Sequence, residues 1–220
     1  MKKTFDEIWE DLHKNKEWGR YPSEEIIRFV ARNYYNQERD KVKILDFGCG
    51  AGANTWFLAR EGFDTYAFDG SKTAVNKAKS YLKKENLNAK FQVADALEVS
   101  YPENYFDCII DGFVISLSTL SNIISIYQKV YKLLLPGGKI FSTGATKSTT
   151  GWDSGIKIEE DTYKDLKRGL LKDRGTIHFF QKEEQIKILE KIGFKNINFY
   201  TMTRKEEEDI LELWVITAQK

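Results

Sequence analysis

Three glycines alternate in Asp46-Phe47-Gly48-Cys49-Gly50-Ala51-Gly52, at the end of the apolar run KVKILDF. Glycines at this spacing let the backbone turn tightly and let a ligand reach its N–H groups without meeting a Cβ. Read as Gly48-x-Gly50-x-x-Ala53, the turn fits a dinucleotide-binding fingerprint, and Asp69, 19 residues after Gly50, stands where an acid takes a ribose diol. Two more carboxylates close apolar runs, Asp95 before Ala96 and Asp111 before Gly112 and Phe113. The chemistry on offer is recognition of a nucleoside, with acids at its polar ends.

Asp46 bears on which nucleoside. A carboxylate just before the turn suits a cationic amino group and repels a pyrophosphate. Asp95 offers an acceptor to an exocyclic amine, and Ala96 a backbone N–H to a ring nitrogen. Together these positions describe a ligand with an amino-acid cation, a ribose diol and an adenine, which is S-adenosylmethionine. NAD satisfies the glycine fingerprint too, so an NAD-dependent oxidoreductase is the competing reading.

These residues need a frame. KVKILDF, DTYAFD, AKFQVA, FDCIIDGFV and KIFSTGA are short, rich in Val, Ile and Phe, and end in Gly, Asp or polar turns, as buried parallel strands do. Between them ANTWFLAREG, SKTAVNKAKSYLKKEN and LSNIISIYQKVYKLLLPGG carry apolar residues at helical spacing. The alternation predicts an α/β fold, a doubly wound, mostly parallel seven-stranded sheet with helices on both faces. NINFYTMT and LELWVITAQ, joined by the short charged RKEEEDI, predict a closing antiparallel hairpin. Ile158 to Leu171 reads as a charged helix, and a further helix ends at Gly193. Residues 1–40 are expected to form an N-terminal helical cap broken at Trp18–Pro22, and 41–220 one domain with an acceptor-side elaboration at about 146–180.

In these motifs and this layout the chain resembles the class I S-adenosylmethionine-dependent methyltransferases, from about Lys41 to Gln219. The resemblance implies S-adenosylmethionine as methyl donor and S-adenosylhomocysteine as product. It implies that Asp46, Gly48, Gly50 and Gly52 lie along the methionine and ribose, Asp69 holds the ribose hydroxyls, and Asp95 with Ala96 meets the adenine. It also implies that Asp111, Gly112 and Phe113 line the methyl-transfer region. A weaker resemblance, through the N-terminal segment, is to small bacterial methyltransferases acting on sugar or surface-polysaccharide precursors.

Transfer from a sulfonium needs alignment and a dry pocket above all, but a hydroxyl acceptor also needs a base. His178 and Asp111 are the candidate bases; His13, on a charged N-terminal stretch, reads as a surface residue. Trp18, Arg20 and Tyr21 could close over the donor or hold an anionic acceptor. A small-molecule acceptor methylated on oxygen, less readily on nitrogen, is the expected substrate, with a regulatory cofactor-binding protein as the non-catalytic alternative.

The 220 residues carry 34 Lys and Arg against 33 Asp and Glu, a balance that argues against duplex nucleic acid as partner. The fourth apolar run ends Ile110-Asp111-Gly112-Phe113, not the Asn/Asp-Pro-Pro-aromatic motif associated with nucleobase amine methylation. The charged start and the lack of a ~20-residue apolar stretch predict a cytoplasmic protein without a membrane span. Cys49 and Cys108 lack metal-ligand spacing and read as packed thiols, so neither a metal nor a disulfide is expected, and the oligomeric state is left open.

Overall fold

The computed structural model describes residues 4–220; Met1–Lys3, the start of the expected cap, lie outside the described residues. β1 (Lys43–Phe47), β2 (Asp64–Asp69), β3 (Lys90–Val93), β4 (Phe106–Asp111) and β5 (Leu134–Ala145) pair in parallel. β10 (Asp209–Gln219) runs antiparallel between β5 and β9 (Lys195–Glu206), so the sheet order is β3-β2-β1-β4-β5-β10-β9. This is the expected parallel sheet with its closing hairpin. Strand order reverses between β1 and β4, the switch point where open α/β sheets bind ligands beyond the carboxyl ends of their strands.

Side chains alternate across the strands, and each face has its own core. On one face Ile44, Cys108, Ile110, Phe141 and Val215 pack with α2 (Glu24–Tyr34) and α3 (Ala53–Arg60) through Phe29, Val30, Phe57 and Leu58. On the other, Leu45, Phe47, Ile109, Ile140 and Trp214 pack with α5 (Leu120–Leu133) and α6 (Lys182–Ile192) through Ile123, Tyr127, Val130 and Leu189. Burying each such side chain contributes roughly 1.5–3 kcal/mol, which fixes the sheet that carries the site. α4 (Lys72–Lys84) starts where Ser71 Oγ accepts from Ala74 N at 3.0 Å, an N-cap two residues after Asp69.

The expected helix over Ile158 to Leu171 does not form. β6 (Ile156–Glu159), β7 (Thr162–Lys164) and β8 (Thr176–His178) build a small antiparallel sheet there. Asp161 and Asp165 take left-handed φ values of 56° and 52°, which a helix cannot continue through, and Tyr163 packs edge-on against Trp152 with ring centroids 5.5 Å apart.

The two N-terminal helices part company. α2 belongs to the sheet layers, with Ile26, Phe29 and Val30 buried against them, whereas α1 (Ile8–Asn15) lies against α4 beside the strand ends. Among the described residues no helix is long and apolar enough to cross a membrane.

Candidate active site

A cavity of about 470 Å³ opens beyond the carboxyl ends of β1 to β4, lined at one end by the glycine loop, Asp69 and Asp95 and at the other by Leu170, Leu171, Leu211 and Leu213. Its size suits a small molecule. All three loop glycines have positive φ, yet they do different work. A Cβ on Gly48 would sit 2.5 Å from Val114 Cγ2, and one on Gly52 would sit 2.7 Å from Ala78 Cβ, so both serve close packing. At Gly50 the nearest atom to a Cβ is His13 Cε1 at 3.4 Å, so this glycine leaves its backbone open to the crevice.

Asp69 stands beside it. Its Oδ2 accepts from Gly50 N at 2.9 Å and its Oδ1 from Ser71 N at 2.8 Å, leaving a second lone pair on each oxygen for a diol. Burial raises the Asp69 carboxyl above its ordinary range, against the pull of the two N–H donors and the nearby His13. Asp95 is more fully engaged: Oδ2 accepts from Thr4 N and Phe5 N at 2.6 and 2.8 Å, and Oδ1 from Thr4 Oγ1 and Leu97 N at 2.8 and 2.9 Å. Burial alone would raise Asp95, but these donors outweigh it and hold the carboxyl below its usual range. The acid expected to meet the adenine amine therefore anchors the N-terminal arm, whose Phe5 ring lies against Gly70. Ala96, Gly112 and Phe113 line the cavity, and Phe113 holds a φ of 74°, a strained conformation at the cavity wall.

α1 completes the lining. Glu10 accepts from Ser71 Oγ at 2.5 Å and from Thr73 Oγ1 at 2.5 Å, bonds that bring its carboxyl down to about 2 and tie α1 to the start of α4. One turn of helix on, His13 is 5% exposed, between the rings of Trp9 and Trp18, and its Nδ1 has no hydrogen-bond partner among the described residues. Burial pushes the His13 imidazole below its usual range, opposed by Asp69. His13 is thus a wall of the crevice, contrary to its reading as a surface residue, because Trp9 and His13, four residues apart, share the inward face of a helix whose outward face carries Asp11, Lys14 and Asn15.

Several expected site residues do not reach the cavity. Asp46 is fully buried behind Asn54: Oδ2 accepts from Thr55 Oγ1 at 2.5 Å and Oδ1 from Asn54 Nδ2 at 3.3 Å, so it pins α3 to β1, while Asn54 faces the cavity. Asp111 is also fully buried, accepting from Val114 N at 2.7 Å and Ile115 N at 3.1 Å and from Ser142 Oγ. It folds the turn that presents Gly112 and Phe113 and has no path to an acceptor. Burial pushes Asp46 up to about 6 and Asp111 up to about 7, the neighbouring carboxylate adding to Asp111's rise. His178 is 1% exposed in β8, with Nδ1 2.7 Å from Thr162 Oγ1, outside the cavity lining. Burial brings it down to about 4. As general bases His178 and Asp111 are both ruled out by position. Trp18 and Tyr21 line the cavity, but Arg20 turns away, its guanidinium 5.9 Å from the Tyr81 ring.

A family profile described as a methyltransferase domain matches residues 44–138, which span the glycine loop, Asp69, Asp95 and Asp111. This stretch is similar to a methyltransferase domain. Gly50, Asp69 and the open crevice have the shape and the acceptors that a nucleoside-bearing donor such as S-adenosylmethionine needs. The chain is 32% identical over 128 residues to phosphoethanolamine N-methyltransferase 3 of Arabidopsis thaliana, covering 55% of this chain and 25% of the relative. It is 25% identical over 127 residues to a ubiquinone biosynthesis O-methyltransferase of Rickettsia akari, covering 58% of this chain and 49% of the relative. The chain thus spans less than two thirds of these curated relatives. A crystal structure of an S-adenosylmethionine-dependent methyltransferase from Methanosarcina mazei superposes with a TM-score of 0.72 at 23% identity, over 91% of this chain and 98% of that one, which places the fold.

Sequence reasoning missed Phe5, His13, Asn54, Arg174 and the leucines of the far wall. For His13 the available signal was its i, i+4 spacing from Trp9 on an amphipathic helix. Arg174 belongs with Trp152, Tyr163, Lys167, Arg168 and Lys172 to a set of aromatics and cations after β5 that could grip a phosphorylated substrate, but sequence does not separate it from the solvated members of that set.

Proposed function

We propose that this protein moves a methyl group from S-adenosylmethionine to an oxygen or nitrogen of a small metabolite. The observation that carries the reading is the crevice at the β1–β4 strand ends, where Gly50 exposes its backbone and Asp69 keeps free lone pairs beside it. In this reading Gly50 and Asp69 take the ribose, Phe5 and Gly70 bound the adenine end, and Asn54 with Gly112 and Phe113 border the sulfonium. The donor supplies the electrophilic methyl; the chain contributes orientation and a water-poor wall around it. Gly50→Ala would place a Cβ toward His13 and into this approach.

The acceptor end favours an apolar body over a sugar. Leu170, Leu171, Leu211 and Leu213 offer no partners for a ring of hydroxyls. Of the histidines, only His13 lines the cavity, so an acceptor that needs a proton removed would have to present it there or arrive already ionised.

Calorimetric titration with S-adenosylmethionine and S-adenosylhomocysteine, with NAD as control, tests the donor. Saturable binding of the adenosyl pair alone is expected, and binding of NAD alone would overturn the reading. Formation of S-adenosylhomocysteine over a panel of small acceptors tests the transfer. The engagement of Asp95 by Thr4 and Phe5 favours a second reading, a sensor that binds the cofactor without catalysis; it predicts binding with no turnover on any acceptor.

A further inference from the structure

The far end of the cavity holds a cation with nothing to neutralise it. Arg174 lines the cavity wall, and among the described residues it has neither a carboxylate within ion-pair distance nor a side-chain hydrogen-bond acceptor. Its guanidinium lies over the Trp18 ring, 5.3 Å from the centroid. The Trp18 indole N–H is itself enclosed and without a partner among the described residues. Asp6, whose carboxylate lies against Gly175, is engaged elsewhere, by Lys164 Nζ at 3.5 Å and Ile8 N at 3.2 Å. Arg204 reaches the rim but already pairs with Glu206 at 3.0 Å.

A half-enclosed guanidinium without a counter-charge is costly, and burial is the one influence on it, lowering its proton affinity without any carboxylate to offset that. Surface arginines avoid this by facing water or pairing; Arg174 is stacked on an aromatic face and bordered by Leu170 and Leu171. An unpaired planar fork held flat on an aromatic ring at the cavity wall is complementary to an oxyanion, which accepts two charge-assisted bonds from it at once. The leucines beside it would take an apolar body.

We infer that Arg174, held on the Trp18 ring, forms an anion subsite, and that the methyl acceptor is a small molecule with an apolar body and a carboxylate or phosphate group lodged there. The inference rests on the methyl-transfer reading for calling that molecule an acceptor, and on Arg174 and Trp18 for its charge. It moves the anion-holding role from Arg20, which faces Tyr81, to an arginine on the elaboration after β5.

The test uses the full chain saturated with S-adenosylhomocysteine and four calorimetric probes of one chain length: hexanoate, hexyl phosphate, hexanamide and hexylamine. At least one of the two anions is expected to bind about tenfold or more tighter than hexanamide, the weight of a charge-assisted bond, and hexylamine weakest. Whichever anion binds tighter identifies carboxylate or phosphate as the group recognised. Arg174→Met is expected to erase the preference for anions while leaving S-adenosylhomocysteine affinity unchanged, and Arg174→Lys to retain part of it. Equal binding of hexanamide and both anions to the unmodified protein would overturn the inference without any variant, and so would an anion preference that survives Arg174→Met. Failure of S-adenosylhomocysteine to bind would sink the methyl-transfer reading instead, and an anion preference measured in its absence would still stand for the subsite.

Discussion

Asp111→Asn is expected to stabilise the protein at neutral pH and to leave it unchanged in acid. In the fold Asp111 is sealed from water, its Oδ1 taking two backbone N–H groups and its Oδ2 the Ser142 hydroxyl. An asparagine reproduces the protonated carboxyl: its oxygen keeps the Val114 and Ile115 donors, and its amide donates to Ser142 Oγ. The wild-type carboxyl moves from an ordinary 3.8 to about 7 on folding, so between those values the folded state holds a proton that the unfolded state has lost. Stability contributed by the neutral form is therefore complete below about pH 4 and drains away as pH rises towards 7. At about 1.4 kcal/mol per pH unit the loss reaches a ceiling of ~4 kcal/mol. Asparagine cannot ionise, so the variant should match wild type near pH 4 and lead it above pH 7 by on the order of 2–4 kcal/mol, roughly 5–10 °C in melting temperature. The gap between the two proteins is the quantity to follow by calorimetric or urea unfolding from pH 4 to 8, because His178 and Asp46 titrate in the same window in both. A gap that is constant with pH, or a variant less stable than wild type at pH 8, would refute the assignment of a buried, proton-holding Asp111.

Asp69→Ala should remove most S-adenosylhomocysteine binding, a loss of about tenfold or more for the bonds a carboxylate makes to a diol, measured by calorimetry. Retained affinity would detach Asp69 from the ribose. Gly52→Ala meets Ala78 Cβ at 2.7 Å as well as an unfavourable φ of 92°, so it should cost ~2–5 kcal/mol of unfolding free energy. Gly50→Ala, with 3.4 Å of room, should cost only ~1–2 kcal/mol yet weaken the cofactor; urea titrations of both separate the packing glycine from the binding one. His178, brought down to about 4 by burial, stabilises the fold only while neutral, so its contribution is complete above about pH 6.5 and disappears as pH falls towards 4. His178→Gln should flatten that acid limb of the melting curve while S-adenosylhomocysteine still binds at pH 7.5.

The sheet was legible because its signals are local. Lys43–Phe47 and Phe106–Asp111 are apolar because both their faces are covered, and Gly193 ends α6 with a φ of 117° that only glycine takes readily. The acids at strand ends could be found the same way, but their orientation could not. Asp46 and Asp111 end strands as cofactor acids do, and whether a carboxylate faces a crevice or its own backbone depends on neighbours such as Thr55 and Ser142 that sequence spacing does not place. The segment from Ile156 to His178 was misread for a related reason: its charges mimic a solvated helix, and the left-handed Asp161 and Asp165 are held by non-local backbone bonds, Asp161 O accepting from Phe179 N and Asp165 N donating to Gly175 O. The acceptor wall, assembled from β10, the turns before β8 and the arm before α2, lies beyond the reach of any local pattern.

One continuous stretch, Thr4 to Trp18, touches Asp95 and Ser71 at the nucleoside end and Arg174 at the other. A strap held at both ends makes the two ends partners in a thermodynamic cycle. Whatever factor a ligand beneath His13 adds to affinity beside Arg174, a ligand beside Arg174 must return beneath His13. In the methyl-transfer reading the strap's Thr4–Asp95 and Glu10–Ser71 bonds flank the donor's place, so loosening either end of it is felt at the other.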